Sequence, residues 1–115
     1  MPEDDILLVL TTLPGMESAE RLAADVIEAR LAACVQILSP CRSLYRWQGK
    51  VEAATEIPLL IKTRASRYQA LEAALCAGHP YEIPEILAFS ARNGYAGYLD
   101  WVRAETADAV PEAAS

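Results

Sequence analysis

The chain has 115 residues, room for a single domain with a radius of gyration of about 13 Å if compact. Sixteen Asp and Glu against ten Lys and Arg leave a net charge of −6, so no global positive field draws phosphate backbones or anionic lipid, which argues against nucleic-acid and membrane-surface roles. Hydrophobic residues make up 53%, yet 21 of the 115 are alanine, and the core therefore rests on a smaller set of Leu, Ile, Val and aromatic side chains, sufficient at this size.

In chain order, Asp5 to Thr12 reads as a strand apolar on both faces, with five consecutive apolar residues, Ile6 to Leu10, which places it at the centre of a sheet; Pro14-Gly15 ends it. From Ser18 to Leu31 the residues Ala19, Leu22, Ala23, Val26 and Ile27 recur at helical spacing, with Glu17 and Glu20 near the start and Arg30 near the end, matching the macrodipole. Cys34 to Leu38 is a second strand, interrupted by Ser39-Pro40 and resumed from Ser43 to Trp47 before the turn pair Gln48-Gly49. A two-residue loop there pairs Trp47 with Lys50 and Tyr45 with Glu52, all four on one face. Val51 to Arg64 runs back through a strand core at Leu59 to Ile61, with Pro58 marking an edge or bulge. Ser66-Arg67-Tyr68-Gln69 forms a capping box for a helix whose buried stripe is Tyr68, Leu71 and Leu75 and which stops at Gly78. Glu85 to Ser90 is a further strand. Tyr95, Tyr98, Leu99 and Val102 set a last helix to about Glu105, and residues 106–115, acidic and alanine-rich, form a frayed tail on a core of about 5–105.

The order is βαββαβ plus a C-terminal helix, the α+β split βαβ arrangement called ferredoxin-like. Right-handed crossovers joining parallel neighbours place the first strand between the third and the fourth. Lys50 to Arg64, extended at about 3.3 Å per residue, spans roughly 50 Å, against roughly 35 Å for a sphere of this mass. The hairpin between the second and third strands is therefore a long protruding arm. Carrying Leu44, Tyr45, Trp47 and Val51, such an arm is marginal alone, which predicts an obligate homo-oligomer.

The acidic start, Met1 to Asp5, differs from a basic signal-peptide start, and the apolar run after it is too short for a signal core or a membrane span. Three cysteines, Cys34, Cys41 and Cys76, with no C-x-x-C pair argue for a reducing compartment and a cytoplasmic protein.

The densest chemistry lies in His79-Pro80-Tyr81-Glu82-Ile83-Pro84-Glu85, where two prolines fix a loop with the only histidine. His79, Glu82 and Glu85, with Cys76 three positions before His79, are of metal-ligating type; the plainer alternative is a rigid helix-to-strand connector. Lys62 either points into a cleft toward Glu56, Glu82 or Glu85 or reaches water from a strand edge. Trp47 and Trp101 either stack on a planar ligand or anchor an interface, the second being the expectation for Trp47. No serine sits in a G-x-S-x-G elbow and no nucleophile flanks the histidine apart from Cys76, so no enzyme is expected. The loop Leu13 to Glu17 lacks the arginine of an acylphosphatase, and Ile6 to Leu10 lacks the aromatics of an RNA-binding sheet.

The segments Leu31-Ala32-Ala33-Cys34-Val35, Ser43-Leu44-Tyr45-Arg46-Trp47-Gln48-Gly49-Lys50, Ile61-Lys62-Thr63, His79 to Glu85 and Tyr98-Leu99-Asp100-Trp101 together resemble the CutA family, the divalent-ion tolerance proteins, over residues 6–103. The resemblance implies a ferredoxin-like protomer in a homotrimer with arms paired between subunits, as in PII signalling proteins, and a link to copper and other divalent ions without enzymatic activity. It implies candidate cleft positions at Tyr45, Trp47, Lys62, Tyr81, Glu82 and Glu85, and His79 as a metal position for Cu²⁺ or Zn²⁺. The copper ligands proposed for some members are a cysteine ending the first strand and paired histidines before the Pro-Tyr step; here Thr11 or Thr12 and Gly78-His79 stand in those places. Two readings follow: a metal-binding or PII-like tolerance protein, or a trimeric scaffold taking a small molecule or protein segment in an inter-subunit cleft.

Overall fold

The apolar run Ile6 to Leu10 falls on the middle strand of a five-stranded sheet, where both edges of the strand are paired. The structure, a computed structural model, describes residues 4–107. Its elements are β1 (Ile6–Leu13), α1 (Met16–Glu28), β2 (Cys34–Ile37), β3 (Cys41–Trp47), β4 (Lys50–Arg64), α2 (Tyr68–Gly78), β5 (Ile86–Ser90) and α3 (Ala96–Glu105). The strand order is β2-β4-β1-β5, with β3 pairing the outer half of β4. Every pairing is antiparallel, which corrects the expectation of parallel neighbours. The strands joined by a crossover helix do run parallel, but β4 lies between β1 and β2, and β1 lies between β4 and β5. The result is a mixed fold of antiparallel strands and three α-helices.

One face of the sheet carries the core. Val9 and Leu13 of β1 and Ile57, Leu59 and Ile61 of β4 are buried together with Leu22 and Val26 of α1 and Leu71 and Leu75 of α2. Each such side chain contributes about 1.5–3 kcal/mol by leaving water. On the other face, cross-strand partners Leu8 and Phe89, and Leu60, Leu10 and Leu87, make an apolar stripe, with Leu87 51% and Phe89 52% exposed.

The ends of both long helices depart from the sequence reading. α1 stops at Glu28, short of Leu31, because Arg30 adopts φ 61°. The Leu31 N–H then donates to the Val26 carbonyl at 2.9 Å and the Arg30 N–H to Ile27 at 3.0 Å, a Schellman closure with arginine where glycine is usual. Arg30 in turn donates through Nε and an Nη to the carbonyls of Ala107 and Ala104, at the negative end of α3. The Ser66 capping box does not form: Ala65–Arg67 is a 3₁₀ turn, and α2 begins at Tyr68 without a side-chain cap. Ser66 instead gives its N–H (2.9 Å) and its hydroxyl to the Asp4 carboxylate, a stronger acceptor than a neutral amide. The tail expected over residues 106–115 does not include Thr106. Thr106 is fully buried and its hydroxyl donates to the Val102 carbonyl at 2.7 Å; residues 108–115 lie outside the described residues.

The arm follows the sequence reading. Trp47 pairs with Lys50 and Tyr45 with Glu52 across a turn in which Gln48 (φ 50°) and Gly49 (φ 82°) take the left-handed conformations of a type I′ hairpin. Opposite Pro58 the register slips by one residue between the pairs Ile37↔Leu59 and Cys41↔Glu56, so the segment 38–40 carries a bulge that separates β2 from β3. β4 itself runs on unbroken from buried core to exposed arm. The molecule measures 53 × 33 × 24 Å with a radius of gyration of 15.5 Å, above the compact value, as a protruding arm requires.

Candidate functional site

The bulge sets Glu56 at the root of the arm, on the same face of β4 as the partners of Cys41, Ser43, Tyr45 and Trp47. Its side chain is only 8% exposed. One oxygen, Oε2, accepts the Tyr81 hydroxyl at 2.8 Å and the Thr12 hydroxyl at 3.3 Å. Burial, then the bond to Glu56 and the nearby Tyr45, push the Tyr81 phenol well above its ordinary pKa, so it remains a donor at neutral pH.

Tyr81 sits in the loop 79–85 between α2 and β5, where Pro80 and Pro84 restrict the backbone. His79 opens that loop and is 9% exposed. Its Nδ1 accepts the Tyr81 N–H at 3.4 Å, which leaves the proton of the neutral ring on Nε2, 3.2 Å from the Thr11 hydroxyl oxygen. By register Thr11 belongs with Leu59 to the helix-covered face, whereas Thr12 belongs to the other. The loop therefore clasps the end of β1 from both faces, through His79 on one and Tyr81 on the other.

Between arm and loop lies a cleft of about 570 Å³, within the range of small-molecule sites. Tyr45 and Trp47 line the arm side, Tyr81, Glu82 and Glu85 the loop side, and Thr12 and Glu56 are shared between them; Ser43, Leu44 and Ile83 complete the wall. Five of the residues expected from sequence thus meet in one place. Lys62 does not join them: it pairs with Leu8 and Cys34 toward the far end of β4, and its Nζ donates to Gln36 instead of reaching Glu56, Glu82 or Glu85. His79 stands behind the lining with both ring nitrogens engaged. Glu56 was legible only as a partner for Lys62, because its burial depends on Tyr81, distant in sequence.

Among the described residues no three His, Cys, Asp or Glu groups gather around a common point. Cys34, Cys41 and Cys76 are free thiols, Cys34 and Cys41 half-buried and Cys76 exposed. The cleft offers carboxylates and aromatic faces without imidazole or thiolate.

The hairpin motif and the clasping loop are the stretches that identify the chain, and the sequence matches the CutA1 divalent ion tolerance protein profile over residues 7–105. The chain belongs to the CutA1 family. The divalent-cation tolerance protein CutA of Pectobacterium atrosepticum is 44% identical over 103 residues, covering 90% of this chain and 94% of that protein. The crystal structure of CutA from Xylella fastidiosa superposes with a TM-score of 0.87 at 44% identity, covering 90% of this chain and 99% of that one. The periplasmic divalent cation tolerance protein CutA from Archaeoglobus fulgidus gives 0.86 at 36% identity, over 89% of this chain and 99% of that one. The general role of a CutA1 chain is divalent-cation tolerance. Among the described residues of this one, no helix is long and apolar enough to cross a membrane.

Proposed function

We propose that this CutA1 chain serves divalent-cation tolerance as a cytoplasmic homotrimer of ferredoxin-like protomers, acting without catalysis as a PII-like response protein whose ligand occupies the cleft between arm and loop. The observation that carries this reading is the division of labour at the loop 79–85: His79 is spent on holding the fold, while Tyr45, Trp47, Tyr81, Glu82 and Glu85 converge on an open cavity. The trimer draws support from the uncovered sheet face and from an arm with Leu44 and Val51 exposed, surfaces that a closed ring of copies would cover. The three free cysteines support the cytoplasm.

A second reading places Cu²⁺ or Zn²⁺ at His79 and rests on the electrostatic pull of Glu56 on that ring. It requires the imidazole to give up Thr11 or the Tyr81 N–H. Titration of Cu²⁺ against a competing chelator separates the two. On the cleft reading, His79→Ala binds Cu²⁺ no more weakly than the wild type. Saturable binding at one ion per subunit that vanishes in His79→Ala overturns that reading in favour of the metal.

A further inference from the structure

Resting on the reading of the cleft as the ligand site, we propose that its ligand is a small organic cation, an ammonium or guanidinium group carried on an apolar stem. Three carboxylates, Glu56, Glu82 and Glu85, line the cavity, and none of its lining residues is Lys, Arg or His. An anionic ligand would meet uncompensated like charge there. Glu56 makes the stronger point. Its side chain lines the cleft and both of its hydrogen bonds fall on Oε2, while Oε1, which has no donor among the described residues, keeps contact with solvent. A cationic donor entering the cleft would find Oε1 free to accept a charge-assisted hydrogen bond.

The remaining walls select the kind of cation. Tyr45, Trp47 and Tyr81 present aromatic rings, which favour a weakly hydrated organic cation through their faces and an apolar stem through their area. A bare divalent ion needs several oxygen or nitrogen donors at close quarters, and no such group forms among the described residues. A volume of about 570 Å³ also suits a molecule rather than an ion.

The test uses the full-length protein in its native assembly and agmatine, a guanidinium and an amine on a short carbon chain, as the probe. Calorimetry follows binding, with N-butylurea as neutral analogue, glutarate as anion and Zn²⁺ as metal control. Saturable agmatine binding at one per subunit is expected, with butylurea and glutarate at least tenfold weaker. The double variant Glu82→Gln/Glu85→Gln, at exposed positions that leave the fold intact, weakens agmatine at least tenfold; Glu56→Gln, checked by its melting curve, does the same. Agmatine affinity unchanged in the double variant, or no agmatine binding, overturns the proposal. Butylurea or glutarate binding that is lost in Trp47→Ala would overturn the cationic class while upholding the cleft. Failure of all probes would remove both.

Discussion

His79 acts as a strut, and its titration should show this. Burial lowers its pKa below the ordinary 6.5, with the Thr12 backbone and Glu56 pulling more weakly the other way. Because the folded value is depressed, the unfolded chain takes up the proton first as the pH falls. The stabilising contribution is complete above 6.5 and is lost as the pH drops from there through the folded value. Melting temperature should therefore fall between about pH 7 and pH 5 more steeply in the wild type than in His79→Gln, and equal slopes would show that the ring is not held neutral. The sequence pointed to this loop, since two prolines bracket the only histidine. It did not disclose whether the imidazole faces a ligand or a threonine, because that depends on which face of β1 lies behind it. Glu56 was still less visible: its burial comes from a tyrosine that arrives from another element.

At the scale of elements, local signals were legible where they had no competitor. The hairpin turn at Gln48-Gly49 formed as expected because the two-residue loop fixes its own geometry. Helix ends were misjudged where a distant group intervened, Asp4 at Ser66 and the α3 carbonyls at Arg30. The Arg30 closure yields a measurable split. Arg30→Ala keeps the left-handed backbone, which costs a side chain about 1–2 kcal/mol, and also loses both bonds to α3. Arg30→Gly loses the same bonds but relieves the backbone. Urea denaturation should place the glycine variant about 1 kcal/mol above the alanine variant, and both below wild type. Identical stability for the two variants would mean the backbone there is unstrained.

For the whole molecule, length arithmetic anticipated the arm, and the apolar run of β1 anticipated its central place. The sense of pairing was not legible in that way, since an apolar run is equally at home between parallel and antiparallel neighbours. The uncovered stripe of Leu8, Leu10, Leu60, Leu87 and Phe89 remains the strongest argument for association. On the proposed trimer, Phe89→Glu, on that stripe and outside the helix-covered core, should reduce the mass measured by light scattering from that of three chains to that of one, with the helical circular dichroism retained. A mass unchanged from wild type would move the interface elsewhere. The position of β1 has a consequence for synthesis as well. Its first neighbour, β4, is joined through pairs such as Leu10↔Leu60, and its second, β5, through pairs such as Leu7↔Ser90. At typical rates of about 5–20 residues per second, the most apolar strand of the chain waits on the ribosome for roughly three to ten seconds before any partner strand emerges. During that interval it depends on the exit tunnel, on α1 or on a chaperone for cover, and the protein's yield in the cell should be more sensitive to the pace of translation than its final stability would suggest.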